Sequence, residues 1–600
     1  MKQLQLIEKE SFHQFLKTEN QHLAPFSNVL MYLLQLNKVN SFYSEALAYP
    51  EKNFTDYIFE KLNITIDVSE KDLENIPLTG SFISVSNHPF GGIDGLILIH
   101  ILLKKCPDFK VIANFLLKKI EPLSPFILPV NPFEERKEGS YSGLKAAIQT
   151  INNQQPLGIF PSGEVSSLQL NKSIVDNPWN ESAIKLIKKA NVPVVPIYFE
   201  GNNSITFHLL GLINPKLRTA KLASEVFNKK NKTLRIKIGK PISVENQNEC
   251  NTIKELSNYL RNRTYALNYN KLEKVSTKFY TKKLMETLPI APEIEPSIIK
   301  DEIQKLNKNT LLFENGVFQI YCAPASKIPN VIQEIGRLRE ITFREVGEGT
   351  GKAIDLDYYD NYYYHLFMWD KEVHKIAGAY RIGMGAEIIA THSKKGFYIN
   401  SLFKLKKELL PKLKNAIELG RSFITKDYQK QAQPLFLLWK GILYFLIKNP
   451  DYRYLIGPVS ISNDFSSISK NLMIEFIKQC YFDSEIAQYV VPRKAYKIKI
   501  KDTNIKELVS FAKKDISKLD KMIVDFEPDK IRIPVLIKKY IKLNAKIVGF
   551  NVDPNFNNTL DGLIFLDLLE VPQLTINQLA KDFNDDKIID LFYNKRKSSL

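Results

Sequence analysis

Short apolar runs alternate with helical patterns over the first part of the chain. Ser81–Ser86 (SFISVS), Gln155–Phe160 (QPLGIF), Val192–Phe199 (VPVVPIYF) and Leu234–Ile238 (LRIKI) are short and apolar enough to predict strands. Between them, Ile93–Lys105, Gly143–Asn152 and Glu181–Ala190 carry apolar positions at helical spacing. That alternation predicts an α/β layer fold. The pattern stops at Thr287–Ile303 (TLPIAPEIEPSIIKDEI), where three prolines flanked by acids predict an extended linker. The linker, placed at 281–303, divides the chain into domains over 1–280 and 304–600. The second domain opens with a β-rich stretch, Phe313–Thr425, followed by helical patterns at Gln433–Lys448 and Ser466–Gln479, and reads as α+β.

Composition narrows the function classes. Apolar residues make up 44% of the 600 and charged residues 25%, which excludes wholesale disorder. The four cysteines (Cys106, Cys250, Cys322, Cys480) are far apart with no CxxC pair, so neither a disulfide scaffold nor a cysteine-based metal site is expected. Lysine and arginine total 83 against 65 acids, a net charge of +18 spread along the chain. Such a surface suits nucleic acid, anionic headgroups or an acidic protein partner. The sequence carries no zinc pattern, RNP motif or clustered arginine patch, which argues against nucleic acid. No run reaches the roughly eighteen apolar residues of a membrane span, and the N-terminus lacks the apolar core of a secretory signal.

The first candidate chemistry lies in Ser84–Leu98, SVSNHPFGGIDGLIL. A strand ends at Ser86, Pro89 stops it, and Gly91 and Gly92 allow a tight turn into a helix. His88 falls on the turn and Asp94 in the first helical turn, able to fold back towards it. A carboxylate bonded to one ring nitrogen fixes the tautomer and frees the other nitrogen to take a proton from a hydroxyl. Taken alone, such a histidine is more often a cap or a solvated residue.

Three further segments change that balance: FILPVNPFEERKEGSYSG (Phe126–Gly143), IFPSGEVSS (Ile159–Ser167) and NVPVVPIYFEGNNS (Asn191–Ser204). In this order, over about Ser81–Ile242, the chain resembles the glycerolphosphate/lysophospholipid acyltransferase family, with its blocks NHxxxxD, an arginine block, FPEGTRS and VPIVPV. The resemblance implies O-acylation: His88 as base, Asp94 orienting it, and Phe160, Pro161, Ser162, Gly163 and Glu164 around the acceptor. The chain departs from the family twice. Five residues rather than four separate His88 from Asp94, and Glu164-Val165 stand where the family has Thr-Arg. Trading a cation for a carboxylate disfavours a phosphate acceptor, so the expected acceptor lacks phosphate and carries an amine that Glu164 could pair.

In the second half, GRLREITFREVGEGTG (Gly336–Gly351), DLDYYDNYYY (Asp355–Tyr364), IAGAYRI (Ile376–Ile382) and AIELGRSFIT (Ala416–Thr425) interleave charge with apolar residues. Glu418 and Arg421 fall in an apolar strand, where a buried charge needs partners. Arg339, Asp357, Asp360, Arg381, Glu418 and Arg421 could satisfy one another as a network. Together with Phe343 these residues resemble the GNAT-fold N-acyltransferases that include acyl-homoserine-lactone synthases. The segments LWKGI (Leu438–Ile442), GPVSIS (Gly457–Ser462) and NVDPNFNNTLDGLIFLD (Asn551–Asp567) bring in the ornithine-lipid N-acyltransferase branch. The resemblance implies attack of an amino acid's α-amine on a 3-hydroxyacyl thioester, with Glu418 as base, Asp357 and Asp360 shaping the site, and Arg339, Arg381 and Arg421 binding a carboxylate. The implied donor is acyl carrier protein, or acyl-CoA, with lysine-rich Phe403–Lys414 as docking face; no metal or tightly bound cofactor is implied.

The fold expected is therefore a glycerolphosphate-acyltransferase-like α/β domain followed by a GNAT-like α+β domain. The activity expected is bifunctional synthesis of an ornithine lipid or similar aminolipid, through amino-acid and lyso-aminolipid substrates. Such chemistry belongs on the cytoplasmic face of the bacterial inner membrane, with the protein peripheral and Val29–Leu36 and Leu435–Ile447 as candidate interfacial helices. The alternative is a glycerophospholipid acyltransferase with an accessory second domain.

Overall fold

The structure, a computed structural model, describes residues 6–10, 12–14, 24–49, 53–130, 139–169, 173–213, 215–269, 287–431, 433–497, 500, 502–527 and 531–580. It forms two compact units: Met1–Asn270 with Ile500–Lys513 and Val524–Lys530, and Lys271–Lys499 with Lys514–Ile523 and Ile531–Leu600. Residues 131–138 of the arginine-containing block lie outside the described residues.

The first unit is built on a seven-stranded sheet: β1 (Thr65–Asp67), β2 (Ile83–Ser86), β3 (Lys110–Asn114), β4 (Ile127–Val130), β5 (Leu157–Ile159), β6 (Val194–Glu200) and β7 (Thr233–Ile238). Their spatial order is β1-β7-β6-β2-β5-β3-β4, parallel throughout except for β6 with β7. The central strands read as continuous apolar runs because both sheet faces are covered. Phe82, Phe109, Val195 and Phe199 pack with Ile97, Leu98 and Leu102 from a helix over Gly92–Leu103. Three helices matter here: α1 (Ser27–Leu33), α2 (Gly92–Leu103) and α3 (Ile205–Ile213). Residues 502–513 join this unit rather than the second half. Asn262 bonds both Glu507 Oε2 and the Asn504 amide at 3.0 Å, and Arg263 pairs with Asp525 at 3.0 Å. These are long-range polar contacts that no local pattern announces.

The second unit carries an eight-stranded sheet: β8 (Leu311–Asn315), β9 (Phe318–Pro324), β10 (Tyr364–Asp370), β11 (Lys375–Met384), β12 (Ala416–Ile424), β13 (Tyr454–Ile461), β14 (Lys546–Asp553) and β15 (Thr559–Asp567). The order is β8-β9-β10-β11-β12-β13-β15-β14, antiparallel except where β12 and β13 run parallel. Helices α4 (Pro296–Gln304), α5 (Pro329–Glu345) and α6 (Gln433–Lys448) belong to this unit. Of the segment expected to be an extended linker, 281–286 lie outside the described residues and 287–295 form neither helix nor strand. Pro296 then opens α4 from the first helical position, where its missing N–H costs nothing. Buried Ile299 and Ile303 hold that helix against Ile332 and Ile335 of α5.

The two candidate interfacial stretches separate clearly. In Leu435–Ile447 the residues Leu437, Leu438, Ile442, Leu443 and Leu446 are buried, so this stretch is core. Val29, Tyr32 and Leu33 of α1 are exposed, as are Ile205, Leu209 and Leu212 of α3, while Leu30 and Leu210 join the two helices in one apolar cluster. No helix among the described residues is long and apolar enough to cross a membrane.

Candidate active sites

In the first unit the chain leaves β2 into the turn that carries His88, at the carboxyl end of the sheet, where open α/β folds bind ligands. The neighbouring Asn87 locks that end in place: its side chain donates to Phe199 O at 3.0 Å and accepts from Phe199 N at 2.8 Å, tying β2 to β6. Gly91 has φ +81°, and a Cβ there would meet Leu222 Cδ1 at 2.6 Å, so no other residue fits without rearrangement. This turn absorbs the fifth intervening residue. Asp94, fully buried at the third position of α2, accepts from the amides of Phe90 and Gly91 and from His88 Nδ1, all at 2.9 Å and all on Oδ2. An oxygen already accepting two N–H groups takes the Nδ1 proton, which leaves the Nε2 lone pair of His88 free. Among the described residues nothing bonds to Nε2. Burial pushes the Asp94 carboxyl above its ordinary value; the bonds from His88 and the two amides act in the opposite direction.

Phe160 follows β5 and stacks on the imidazole, with ring centroids 4.2 Å apart. Pro161 O accepts from Asn180 N at 2.7 Å, Gly163 turns at φ +68°, and Ser162 Oγ donates to Glu164 O at 2.7 Å. These local bonds make the block a rigid loop beside the histidine. Glu164 already has a cationic partner: Arg218 lies 3.5 Å from Oε2, and Asn177 Nδ2 donates to the same oxygen at 3.4 Å. The expectation that Glu164 waits for an amine on the acceptor is therefore corrected, since this chain supplies the cation itself.

Sequence reasoning missed the residue that organises this turn. Buried Asp176 accepts from the His88 amide at 3.1 Å, from Ser166 Oγ at 2.6 Å and from Trp179 Nε1 at 3.3 Å. Tyr265 Oη in turn accepts from the Asp176 amide at 2.9 Å. Lys229 was also missed: its ammonium sits 4.2 Å from the Phe90 ring centroid, and burial pushes it down to about 8.

In the second unit, the arginines and aspartates form the expected network, with one unforeseen member. Arg339 grips Asp360 through two nitrogens at 2.9 and 3.0 Å and Asp355 through Nε at 3.1 Å. Arg381 Nη1 meets Asp357 at 2.6 Å and Asp360 at 3.2 Å, with its guanidinium among the rings of Tyr359, Tyr363 and Tyr398. Arg421 Nη2 reaches Asp357 at 3.2 Å, and its Nε lies 3.2 Å from Asp355 but off the hydrogen-bonding direction. Three cations thus face three anions, which is what lets them stay buried. Burial alone would raise the Asp360 carboxyl, but Arg381 and Arg339 hold it far below the ordinary range.

Glu418 stands apart from these ion pairs. It is buried, its Oε1 accepts from Ile399 N at 2.7 Å, and its Oε2 accepts from Tyr398 N at 3.0 Å and from Tyr363 Oη. Burial pushes its carboxyl up to about 7, a value that suits a base. Geometry comes first, however, and three protein donors occupy a carboxylate that does not line the neighbouring pocket. The expectation that Glu418 takes the acceptor's proton finds no support in this placement.

The pocket arises where the sheet opens. β12 and β13 pair only over Ala416–Glu418 with Tyr454–Ile456. Beyond that, Leu419–Ser422 and Pro458–Ser460 line a cavity of about 100 Å³ between the diverging strands. Gly457 marks the fork, where a Cβ would meet Leu419 O at 2.1 Å. On β12 an extra residue relative to β11 forms a bulge, and Arg421 occupies it at φ +51°, a strained conformation for arginine that aims its guanidinium at the cavity wall. Of the expected residues of this unit, Arg421 lines the cavity; Arg339, Asp357, Asp360 and Arg381 support it from behind. The remaining walls include the rings of Phe343, Tyr380, Tyr398 and Phe556 and three carboxylates absent from the sequence reading: Glu348, Asp553 and Asp561.

Two family models match the chain: an acyltransferase model over residues 19–274 and an acetyltransferase (GNAT) domain model over 338–440. The glycine N(alpha)-acyltransferase of Phocaeicola vulgatus is 31% identical over 280 residues, spanning 44% of this chain and 84% of that protein. Its namesake from Bacteroides thetaiotaomicron is 33% identical over 258 residues, spanning 40% of this chain and 73% of that protein. The lyso-glycine lipid O-acyltransferase of Bacteroides thetaiotaomicron is 29% identical over 249 residues, spanning 40% of this chain and 89% of that protein.

Proposed function

The chain belongs to the glycine N(alpha)-acyltransferase family and carries an acyltransferase domain beside its GNAT domain; from that premise we propose that it builds a phosphorus-free aminolipid in two acylations. The second unit joins the α-amine of glycine to a 3-hydroxyacyl thioester, and the first unit then esterifies the new 3-hydroxyl. The observation that carries this reading is that each unit holds its own means of activating a nucleophile. One has a histidine with a free Nε2 oriented by a buried aspartate, suited to a hydroxyl. The other has a carboxylate-lined cavity at the fork of two parallel strands, suited to an ammonium. Two activities named for separate relatives stand here in one chain, which supports consecutive steps.

The chemistry of the intermediate fits this order. N-acylation converts a basic amine into a neutral amide and leaves one free carboxylate. Arg218, on the helix Pro215–Leu222 and 3.5 Å from Glu164 of the block that lacks the family's phosphate-binding pair, supplies a cation for that carboxylate; Glu164 beside it keeps the site from favouring a doubly charged phosphate. Glycine is favoured over ornithine because five aromatic rings, those of Phe343, Tyr380, Tyr398, Tyr540 and Phe556, crowd a cavity of about 100 Å³. The donor we assign is acyl carrier protein: Lys404, Lys406, Lys407, Lys412 and Lys414 are exposed, while Phe403, Leu405, Leu409 and Leu413 anchor the same segment. The exposed apolar faces of α1 and α3 suit the surface of a membrane holding the lyso intermediate.

Lipid mass spectrometry of a heterologous host without aminolipids tests the scheme. Wild type should yield a diacylated glycine lipid, His88→Ala its monoacyl precursor, and Arg421→Ala neither. Altered phospholipid acyl chains with no new aminolipid would overturn the reading.

A further inference from the structure

We propose that Asp561, flanked by Asp553 and Glu348, receives the α-ammonium of the incoming amino acid and takes its proton. This rests on the N-acylation proposed above. Asp561 lies on β15 opposite Ser460 of β13 and Asn551 of β14, so strand alternation turns it to the same sheet face as Ser460. It is 7% exposed, it lines the cavity, and among the described residues no hydrogen bond or ion pair engages its carboxylate. Its two neighbours are held. Glu348 Oε2 accepts from Ser460 Oγ at 2.8 Å, and Asp553 accepts from Asn555 N at 2.8 Å and from Tyr398 Oη at 3.5 Å.

A buried, unpartnered carboxylate is expensive, and two like charges beside it make it more so. Arg421 is the cation facing the group, and it is already engaged with Asp355, Asp357 and Tyr398. A cationic ligand would relieve the whole cluster, so its burial without a protein partner points to an ammonium. Burial, then Asp553 and Glu348, push the Asp561 carboxyl well above its usual range, against the pull of Arg421. An ordinary aspartate is too weak a base to take a proton from an alkylammonium; one raised in this way is better matched.

The step balances as follows. Asp561 takes one proton from the ammonium, and the amine lone pair attacks the thioester carbonyl carbon, forming the C–N bond. Collapse of the tetrahedral intermediate breaks the C–S bond; the departing thiolate takes a second proton from nitrogen. The products are the amide and the free thiol, and Asp561 returns its proton to solvent.

The test uses the purified full chain with glycine and a 3-hydroxyacyl thioester, read by thiol release and by mass of the N-acylglycine. In wild type kcat/KM should fall on the acid side as the cluster gains a proton. Asp561→Asn should lose about 100-fold or more in kcat, and its acid limb should move to higher pH, following the free amine of glycine in place of the cluster. Glu348→Gln, at a less buried position, should raise KM for glycine at least tenfold with kcat within threefold. O-acylation of synthetic N-(3-hydroxyacyl)glycine should stay within twofold in both variants. Asp561→Asn within threefold of wild type, an unchanged acid limb in that variant, or an unchanged glycine KM in Glu348→Gln would each overturn the assignment. A wild type that acylates no amino acid would instead overturn the N-acylation reading beneath it.

Discussion

Asp94→Asn isolates the charge of the first unit's dyad from its shape. All three bonds to Asp94 fall on Oδ2, from His88 Nδ1, Phe90 N and Gly91 N at 2.9 Å each. An asparagine oxygen in that place can still accept all three, so the turn and the imidazole keep their positions. Two things change. The imidazolium formed when His88 takes the hydroxyl proton loses its counter-charge in a buried site, and a general base of this kind contributes about 10²–10⁴-fold, or roughly 3–5 kcal/mol of barrier. The new amide nitrogen falls where Oδ1 has no hydrogen-bond partner, leaving a buried donor unpaired at a cost of about 1–3 kcal/mol in stability. The expected result is O-acylation of N-(3-hydroxyacyl)glycine reduced at least 100-fold, melting lowered by on the order of 5 °C, and N-acylation of glycine within twofold of wild type. Asp94→Ala, which strands both amides, should melt lower still. O-acylation in Asp94→Asn within tenfold of wild type would refute the dyad.

The fork in the second unit should tolerate no side chain at Gly457. Gly457→Ala sets a methyl against Leu419 O and is expected to cost about 1–3 kcal/mol and to abolish N-acylation while O-acylation persists, measured by the same two assays. His365, buried with Nε2 bonded to Asp360 O, is pushed down to about 4 by burial. The unfolded chain gains a proton near pH 6.5 that the folded chain refuses until about 4, so this contribution is full above 6.5 and lost as pH falls through that window. Denaturant unfolding should show the advantage of wild type over His365→Gln shrinking by about 3 kcal/mol between pH 7.5 and 4. Reversing charge at Lys404 and Lys407 together should raise KM for an acyl carrier protein thioester at least tenfold, and for the matching acyl-CoA by less than twofold; equal effects would remove this face as the docking surface.

What the sequence discloses here depends on how far apart the cooperating residues lie. His88 and Asp94 share one turn, so their pairing is readable from a strand end, two glycines and a helix start. Asp176 holds the same turn from 88 positions away, and its segment carries no pattern of its own. The ExxR pair shows a subtler limit. In a regular strand Glu418 and Arg421, three apart, point to opposite faces. The bulge at Arg421 breaks that rule and brings the guanidinium to the aspartates that Arg339 and Arg381 also hold. No periodicity announces a bulge, so the pair reads as one constellation when Glu418 belongs to the backbone of the Tyr398 turn. Asp561 is hidden for a related reason: DGLIFLD reads as an apolar strand with a polar start, and only the sheet order places it beside Ser460, 101 positions earlier.

On the proposed scheme the two sites differ in charge because their nucleophiles differ before the reaction begins. A hydroxyl is neutral at working pH, and its proton need leave only as the new bond forms. A neutral imidazole, positioned by one buried carboxylate and capped by Phe160, suffices, and a standing anion at the acceptor oxygen would gain nothing. An amino acid arrives as a cation whose lone pair is already occupied. Its site must first attract the ammonium and then hold the proton long enough for attack, which asks for carboxylates that are both uncompensated and poorly hydrated. The cavity at the fork of β12 and β13 meets both demands: three acids line it, and its arginine is committed to other partners. Had the second unit served to bind acyl chains for the first, an uncompensated Asp561 in its wall would only penalise them. The placement of that charge therefore favours two chemical steps over one step with an accessory domain.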